Sequence, residues 1–322
     1  MDDYLFPPPL LASTLTLETI MEKTFILHML TTAKNLSPFD VNMAMDAGWV
    51  AAIPYTNVEP SEVKGLIQDV IFSRSPKGLK NTGIFIGGRD TKQARDMLKN
   101  AKNAMFSPFE VSVFADPSGA FTTAAGMVAC VEKELETKFN TTLEGKNLLA
   151  LGGTGPVGQA AAVLASQAGA NVIIIGRQLD KALRIAELCN DEFGEGKIAI
   201  EAGVDADKAE YIKTTDIVFA TGAAGIELLS AEHIASASQL KVAADINAVP
   251  PSGIVGLDAF DNGKELQGST SGAVGLGALA IGNIKYQTQS RLLKEMIESE
   301  QPIFIHFEHA FEVARQIISL SK

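Results

Sequence analysis

A run of closely spaced glycines constrains the fold of this chain more than any other feature. Residues 147–152 read Asn-Leu-Leu-Ala-Leu-Gly, and the run Gly153-Thr154-Gly155-Pro156-Val157-Gly158 follows. After a helical stretch come Asn-Val-Ile-Ile-Ile-Gly and Arg177. A strand, a glycine-rich turn, a helix and a second strand within about thirty residues form the dinucleotide-binding unit of a doubly wound fold. The alternative is a plain glycine-rich turn between a strand and a helix.

Each glycine of this turn has a predicted role. We expect Gly153 to allow the tight turn, Gly155 to let backbone N–H groups approach a pyrophosphate, and Gly158 to let the helix pack on the strand. The N-terminus of the helix adds unpaired amides and a partial positive charge, which favour phosphate binding. The predicted cofactor-binding residues of the turn are Gly153, Thr154, Gly155, Pro156, Val157 and Gly158.

The residues after the second strand indicate which dinucleotide binds. NAD sites usually carry an Asp or Glu about 20 residues past the glycines, where it binds the ribose 2′-hydroxyl. Here Gly176 and Arg177 occupy that position, with Lys181 close behind. No carboxylate stands where it would repel a 2′-phosphate, and a guanidinium can pair with one bidentately. This favours NADP, with NAD as a weaker cofactor. The alternative is that Arg177 only opens the next helix on the surface.

Composition excludes several classes of protein. The chain has 322 residues, 46% of them apolar, which is enough for two globular domains. The net charge of -11 argues against a nucleic-acid or anionic-membrane partner, and no apolar run reaches the roughly 18 residues of a membrane span. Two cysteines and four histidines lack the spacing of a disulfide framework or a metal site. We therefore expect a cytoplasmic protein without a bound metal.

Short apolar runs alternate with amphipathic stretches, which predicts parallel sheets covered by helices. Strands are expected at residues 24–29, 50–54, 82–86, 111–114, 148–151, 172–175, 198–201, 217–220 and 242–244. Helices are expected at 38–47, 59–72, 91–105, 122–138, 276–299 and 309–319, with a loop over 246–275. The predicted fold class is α/β, with two α/β domains, of which the C-terminal one is a Rossmann doubly wound parallel sheet.

The predicted domains follow from this alternation. Residues 1–20 are expected to be a peripheral extension, and residues 21–143 a substrate domain. Residues 144–275 form the predicted NADP-binding domain, and the helices of residues 276–322 are expected to brace the first domain. Two such domains in series predict a cleft at the carboxyl ends of the strands, lined by the loops that follow them.

Two loops of the first domain carry candidate substrate residues. Phe39 and Asp40 follow Ser37-Pro38 at the start of a helix and are candidates for walling a ligand. In the alternative, Ser37 and Asp40 form an ordinary N-cap pattern and Phe39 belongs to the core. Residues 116–123 read Asp-Pro-Ser-Gly-Ala-Phe-Thr-Thr after a strand, and a turn with an N-cap is again the simpler reading. The candidates in this second loop are Asp116, Thr122 and Thr123.

Two loops of the second domain are candidates for the nicotinamide side of the cleft. The small residues Thr221, Gly222 and Ala223 follow a strand and would let the backbone approach the nicotinamide ribose. Asp245 ends another strand, where a lone buried carboxylate is costly unless it is paired. Asn247 offers both a donor and an acceptor to a carboxamide, and an Asx-turn before the proline pair is the alternative.

The chain lacks the groups of a proton relay. Neither a Ser-His-Asp set, nor a Cys-His set, nor a Tyr-x-x-x-Lys pair is apparent. A hydride transfer that needs no proton relay suits this inventory. It indicates a C–H donor that becomes a stabilised cation, rather than an alcohol that must lose a proton.

At these loops the chain resembles the NAD(P)-dependent methylenetetrahydromethanopterin dehydrogenases of methylotrophic bacteria, from about residue 25 to residue 318. Carriers of the resemblance include Ser37-Pro38-Phe39-Asp40-Val41-Asn42, Phe114-Ala115-Asp116, Phe121-Thr122-Thr123, the turn at 153–158, residues 245–251 and Gly277-Ala278-Leu279-Ala280-Ile281-Gly282-Asn283-Ile284-Lys285-Tyr286. The end blocks look like the methanopterin-specific branch. The turn and the stretch after Gly176 look like the strictly NADP-dependent branch that also accepts methylenetetrahydrofolate.

The resemblance implies a hydride transfer from the methylene carbon of the pterin to C4 of the nicotinamide, which leaves a methenyl cation. It implies Asp40 and Asp116 as candidates for stabilising that cation, with Thr122 and Thr123 as pterin contacts, and it suggests a homo-oligomer. The nearest alternative is a methylenetetrahydrofolate dehydrogenase. Two others are a shikimate-dehydrogenase-like enzyme, whose Lys-Asp pair the sequence does not place, and a sensor that binds NADP without turnover.

Overall fold

The computed structural model describes residues 24–320, whose strands form one parallel and one mostly parallel sheet. The predicted extension at residues 1–20 lies outside the described residues. No helix of the described part is long and apolar enough to cross a membrane. The predicted α/β fold class, with a doubly wound C-terminal sheet, is confirmed.

The first sheet has five strands in the order β12-β4-β3-β1-β2, and all of its pairs are parallel. Its strands are β1 (Ile26–Leu30), β2 (Ala51–Tyr55), β3 (Thr82–Ile86), β4 (Ser112–Ala115) and β12 (Phe304–Ile305). The helices along this part are α1 (Pro38–Asp46), α2 (Val63–Phe72), α3 (Pro76–Leu79), α4 (Thr91–Asn103) and α5 (Ala120–Phe139). The central strands are completely buried, as the apolar runs predict for a sheet covered on both faces.

The second sheet has seven strands in the order β10-β11-β9-β8-β5-β6-β7. Its strands are β5 (Asn147–Leu151), β6 (Asn171–Gly176), β7 (Glu201–Val204), β8 (Ile217–Ala220), β9 (Val242–Asp245), β10 (Asn262–Glu265) and β11 (Val274–Leu276). Its helices are α6 (Pro156–Gln167), α7 (Leu179–Leu188), α8 (Lys208–Tyr211) and α9 (Ala231–Ser236). The order reverses between β5 and β8, and such switch points are where doubly wound sheets bind ligands.

Three sequence expectations for strands were wrong. The strand expected at 198–201 is found at Glu201–Val204, where Gly203 leaves room for Ile175 and Tyr211. The expected loop 246–275 contains β10 and the first two residues of β11. Both strands are too short to show an apolar period. The two-residue strand β12 was not expected at all, although it extends the first sheet beside β4.

The C-terminal part of the described chain packs against the first sheet. Helix α10 (Ala278–Glu298) contacts α1, α5 and β4, and α11 (Phe307–Leu320) contacts α5. Gly126 of α5 makes this close approach possible, because a Cβ there would lie 3.1 Å from the backbone nitrogen of Lys285. The indole of Trp49, before β2, donates to the carbonyl of Leu293 in α10 at 3.2 Å.

Candidate active site

A cavity of about 420 Å³ opens at the carboxyl ends of the first sheet's strands. It is walled by the loops that follow β1, β3 and β4, by the start of α1, and by one side chain of α10. The lining residues with polar or aromatic side chains include Thr31, Asn35, Ser37, Phe39, Asp40, Arg89, Ser118 and Lys285. The predicted candidates Phe39 and Asp40 therefore line one cavity together.

A chain of hydrogen bonds fixes the charged groups of this cavity. Gln289 donates from Nε2 to Oδ1 of Asp40 at 2.9 Å, and it accepts from Nζ of Lys285 at 2.6 Å. Lys285 and Gln289 are four residues apart in α10, so they lie on the same face of that helix. Asp40 is only 3% exposed although it lies in the first turn of α1, and Ser37 makes no side-chain cap. The simpler N-cap reading of this pair is thus incomplete.

The ammonium of Lys285 lies between an aromatic ring and a loop. Its Nζ is 3.6 Å from the centroid of the Phe39 ring, which is a cation–π contact. On the loop after β4, a Cβ at Gly119 would come within 3.3 Å of the same Nζ. Gly119 has φ +65°, so both its backbone conformation and the space that Lys285 needs favour glycine there.

Burial shifts the pKa of three charged groups in or beside the cavity, Asp40, Asp116 and Lys285. Burial first, and then the charge of Asp116, raise the pKa of Asp40 to about 6, against smaller lowering effects of Gln289 and Lys285. Burial lowers the pKa of Lys285, although Asp116 and Asp40 oppose this shift. Burial also raises the pKa of Asp116, while Lys285 lowers it. With all three groups ionised, the cluster carries one net negative charge.

Asp116 is completely buried and is held by the start of α5. Its Oδ1 accepts from the N–H groups of Phe121 and Thr122 at 2.9 and 3.2 Å, and its Oδ2 accepts from the Thr122 hydroxyl at 2.7 Å. The Thr123 hydroxyl donates to the carbonyl of Gly119 at 2.6 Å. The two threonines thus organise the loop, and neither lines the cavity.

The glycine turn joins β5 to α6, as the sequence predicts, but the tight turn is at another glycine. The left-handed conformation belongs to Gly152, with φ +68°, and a Cβ there would lie 2.6 Å from Gly222. Gly153 has a packing role, since its Cβ would lie 2.7 Å from the carbonyl oxygen of Ala150. Gly158 packs closely as predicted, with its Cβ 2.5 Å from the Cα of Gly153.

Gly155 differs from its neighbours because packing does not require it to be glycine. Its φ is -84°, and a Cβ there would meet nothing closer than the Gly152 carbonyl oxygen at 3.5 Å. Without a side chain at Gly155, nothing from this position covers the first turn of α6, whose amides have no partner within the helix. This cradle fits a dinucleotide pyrophosphate.

The end of β6 presents two cations to the solvent. Arg177 and Lys181 are both exposed, and neither belongs to an ion pair among residues 24–320. Arg177 immediately follows Gly176, the last residue of β6, where NAD sites carry a carboxylate. The two side chains are therefore available to a 2′-phosphate.

The loops after β8 and β9 hold themselves in place. Thr221 donates to the carbonyl of Leu151 at 3.0 Å, and Gly222 packs against Leu228. Both oxygens of Asp245 accept from loop amides, at 2.6 Å from Gly253 and 2.9 Å from Asn247. These side chains therefore shape the loops, and Asp245 does not line the cavity of Asp40. Ala223 is exposed in the same loop as Thr221.

Asn247 adopts the alternative reading of its motif. Its Oδ1 accepts from the N–H of Val249 at 2.9 Å, which is an Asx-turn, and from Gly225 at 3.2 Å. Its Nδ2 donates to the carbonyl of Pro251 at 2.8 Å. The amide that we predicted for the nicotinamide carboxamide is thus engaged within its own loop.

One buried contact joins the cavity loop to the glycine turn. The Thr91 hydroxyl, at the start of α4, donates to Oε1 of Gln159 in α6 at 2.7 Å. Nε2 of Gln159 donates to the carbonyl of Thr154 in the turn at 3.0 Å. The cavity loop at Gly87, Gly88 and Arg89 precedes Thr91 by only a few residues, so the cavity and the turn are neighbours across the cleft.

Comparisons with known proteins assign the chain to a family. Residues 38–118 match the family described as methylene-tetrahydromethanopterin dehydrogenase, N-terminal. The chain is 44% identical, over 91% of its length and 98% of the relative's, to an "NAD(P)-dependent methylenetetrahydromethanopterin dehydrogenase" of Methylorubrum extorquens. The chain belongs to this dehydrogenase family. A second relative from the same organism, a "Bifunctional protein MdtA", is 36% identical over 87% of the chain and 94% of its own length.

Solved structures outside the methylenetetrahydromethanopterin dehydrogenases share the fold. An NAD-dependent malic enzyme from Thermotoga maritima aligns with a TM-score of 0.59 at 12% identity, covering 98% of this chain and 96% of its own. A quinate dehydrogenase from Corynebacterium glutamicum in complex with NAD aligns with a TM-score of 0.52 at 12% identity, covering 92% and 99%. At this identity the likeness concerns the fold alone.

The sequence did not predict two side chains of this candidate site, Lys285 and Gln289. Lys285 lies in the segment 277–286 that carries the family resemblance, yet neither Lys285 nor Gln289 was predicted to be a site residue. A signal for both existed, because Ile281, Lys285, Gln289 and Leu292 follow helical spacing and three of them are buried. Polar side chains within an apolar stripe are good candidates for a site.

Proposed function

We propose that the chain oxidises methylenetetrahydromethanopterin to its methenyl form by direct hydride transfer to NADP. The observation that carries this proposal is the Asp40–Gln289–Lys285 group in a cavity that adjoins the glycine turn. The membership of the family supports the same reaction. In this proposal residues 144–275 hold the coenzyme, and residues 21–143 with 276–322 form the pterin side.

The glycine turn and the end of β6 provide what NADP binding requires. The amides in the first turn of α6 would bind the pyrophosphate, and the open space at Gly155 admits it. Arg177 and Lys181 would bind the 2′-phosphate with charge-assisted hydrogen bonds. NADP, when bound, supplies the nicotinamide carbon that accepts the hydride.

The charges at the cavity suit a neutral donor that becomes a cation. Asp40 and Asp116 are buried and carry two negative charges, whereas Lys285 is partly buried and Arg89, the other cation of the lining, is exposed to water. Charges interact more strongly in buried surroundings than in water, so the two carboxylates favour the methenyl cation over the neutral methylene form, while solvent weakens the opposing effect of Arg89. The carboxylates therefore stabilise charge and take no proton from the substrate.

Phe39 and Lys285 would orient the pterin. The Phe39 ring is 45% exposed, lines the cavity and has one face occupied by Lys285. Its remaining surface offers an apolar contact to a flat heterocycle. Nζ of Lys285 retains donor capacity beyond its bond to Gln289 and can bind a ring oxygen or nitrogen. Positioning of this kind carries much of the rate of a hydride transfer.

Absorbance of the reduced nicotinamide tests the function directly. NADPH should form when the chain is mixed with NADP and methylenetetrahydromethanopterin, whereas NADH should form only slowly when NAD replaces NADP. Methylenetetrahydrofolate and shikimate, tested in parallel, represent the nearest alternatives. Faster turnover of the folate would make the chain a folate dehydrogenase. Binding of NADP with no turnover of any donor would make it a sensor and would contradict the proposal.

We also propose a homo-oligomer. Phe72 is 57% exposed and Phe106 is 51% exposed. The ring centroid of Phe72 lies 6.1 Å from that of Phe106 and 5.7 Å from that of Phe109. An exposed aromatic cluster is typical of a surface that another protein covers. Light scattering on the purified protein, compared with the variant Phe72→Ser, tests this assembly. A monomeric wild-type protein would contradict it.

A further inference from the structure

The buried contact between α4 and α6 uses a whole side-chain amide, which packing alone does not require. Thr91 is 4% exposed and Gln159 is 8% exposed, and together they connect the cavity loop to the carbonyl of Thr154. Gln159 contributes no further hydrogen bond of its side chain among those described. Its whole amide is thus committed to one connection between the pterin side and the coenzyme side.

The chemistry of the three partners sets the orientation of the Gln159 amide. The carbonyl of Thr154 can only accept, so Nε2 must face it. Oε1 then points the other way and needs a donor, which the Thr91 hydroxyl supplies at 2.7 Å. Without that hydroxyl, Oε1 would be buried with no donor, and the amide would lose the constraint on its orientation.

The bond to Thr154 fixes one peptide group of the glycine turn. The oxygen of Thr154 and the N–H of Gly155 belong to the same planar unit. Gln159 donates to that oxygen, and the N–H of Gly155 donates to the carbonyl of Gly152 at 3.1 Å. With both ends bound, rotation of this peptide plane, which immediately precedes α6, is restrained.

We propose that Thr91 and Gln159 are positioning residues that couple occupancy of the pterin cavity to coenzyme binding at the glycine turn. The inference rests on the proposed function, since it needs a pterin at one end and NADP at the other. A ligand that contacts Gly87, Gly88 or Arg89 bears on the segment that holds Thr91. The Thr91 hydroxyl then holds the amide that holds the turn. Each ligand therefore strengthens the binding of the other.

Two ion pairs near the same contact offer a contrast. Glu192 accepts from Arg95 at 2.8 Å and lies 3.4 Å from Lys92, so it also joins α4 to the coenzyme side. These side chains are 37 to 45% exposed, and no bond among those described leads from Glu192 to the glycine turn. Exposed ion pairs of this kind contribute little, and we expect them to carry no coupling.

Calorimetry on the whole protein measures the coupling. The dissociation constant of NADP is determined with and without the methenyl pterin, a pair that cannot exchange hydride because both members are oxidised. For the wild-type protein we expect the pterin to tighten NADP binding on the order of tenfold. The ratio should fall to about one in Thr91→Val and in Gln159→Met, and Thr91→Ser, which keeps the hydroxyl, should restore it.

The controls separate coupling from stability. Thr215→Val removes another buried threonine hydroxyl, bonded to the carbonyl of Tyr211 at 2.8 Å far from the cleft, and Glu192→Gln removes the exposed ion pairs. Both should retain the wild-type ratio. A wild-type ratio in Thr91→Val or Gln159→Met would overturn the inference, as would a ratio of one in a wild-type protein that turns over. Lack of NADP binding or turnover in the wild-type protein would instead overturn the proposed function.

Discussion

Gln289 of α10 donates to Asp40 of α1 across 249 positions of the chain, at 2.9 Å. The bond ties α10 to the wall of a cavity that loops of the first sheet and the start of α1 otherwise form. Because Gln289 also binds Lys285, the same helix delivers the only cation among the described lining residues that contacts the Phe39 ring. The acid–base behaviour of the cavity therefore depends on the packing of α10.

Turnover should rise with pH through the pKa of Asp40. That pKa is raised to about 6, so Asp40 becomes a carboxylate, the form proposed to stabilise the cation, only above this value. In Asp40→Asn we expect this limb to vanish and kcat to fall by at least about tenfold. Steady-state rates between pH 5 and pH 8 check the prediction, with Asp46→Asn, an exposed acid of the same helix, as control.

The Asp40 carboxyl should make the free energy of unfolding fall with rising pH, although it makes turnover rise. A raised pKa means that the folded protein binds the Asp40 proton more tightly than the unfolded chain does. Between the ordinary value of 3.8 and about 6, the free energy of unfolding therefore decreases as pH rises, by the Asp40 contribution. Asp40→Asn should lack this decrease in urea titrations. An identical decrease in the variant would rule out Asp40 as its source.

Lys285→Met should shift the pH profile upward. Lys285 lowers the pKa of both Asp40 and Asp116, so its loss leaves two buried acids without a nearby cation and raises both pKa values. The acidic limb of kcat/KM should move above pH 6, and the rate at the plateau should fall because a pterin contact is lost. Lys294→Met, an exposed lysine of the same helix, should leave the profile unchanged.

Asp116→Asn separates a capping role from a charge role. Asparagine retains an oxygen that can accept from the Phe121 and Thr122 amides, so the start of α5 should persist and the melting temperature should change little. The negative charge is lost, and we expect kcat to fall about tenfold. Full turnover with an unchanged KM would show that Asp116 only organises the loop.

Arg177→Ala should weaken NADP binding far more than NAD binding. Loss of a charge-assisted contact to the 2′-phosphate should raise the dissociation constant of NADP about ten- to a hundredfold. NAD has no 2′-phosphate, so its binding should change little. Titration calorimetry with both coenzymes measures the difference. Arg184→Ala, an exposed arginine in the later part of α7, is the control. Equal losses for both coenzymes would contradict the 2′-phosphate assignment.

Two glycines of the turn should respond oppositely to alanine. Gly158→Ala places a Cβ 2.5 Å from the Cα of Gly153, so we expect it to destabilise the fold by about 1–3 kcal/mol. Gly155→Ala meets nothing closer than 3.5 Å and should fold normally, yet bind NADP weakly because the methyl group occupies the pyrophosphate space. Thermal unfolding and calorimetry distinguish them. Normal NADP binding by Gly155→Ala would exclude the cradle.

Much of the fold could be predicted because it depends on local patterns. The strand expected at residues 82–86 is β3 to the residue, and the strand expected at 217–220 is β8. β10 escaped prediction because Asn262, Gly263, Lys264 and Glu265 carry no apolar alternation, and the strand exists only by pairing with β11. An edge strand of this kind depends on its partner, which a local pattern does not contain.

The candidate site divides in the same way. Phe39 and Asp40 could be found because strand ends and helix starts are visible in the sequence. Lys285 and Gln289 could not be placed beside them, because only the packing of α10 on α5 at Gly126 brings them there. The sequence also did not show that the loop after β9 uses the side chains of Asn247 and Asp245 for its own hydrogen bonds.

The late position of α10 and β12 has a consequence for biosynthesis. A ribosome completes the glycine turn and most of both sheets before it reaches Lys285, and β12 at Phe304–Ile305 follows later still. A polypeptide that stops before Ala278 would thus contain the glycine turn but lack the lysine that contacts the Phe39 ring. Such a polypeptide would lack one wall of the Asp40 cavity, so we expect it to be inactive in the absorbance assay.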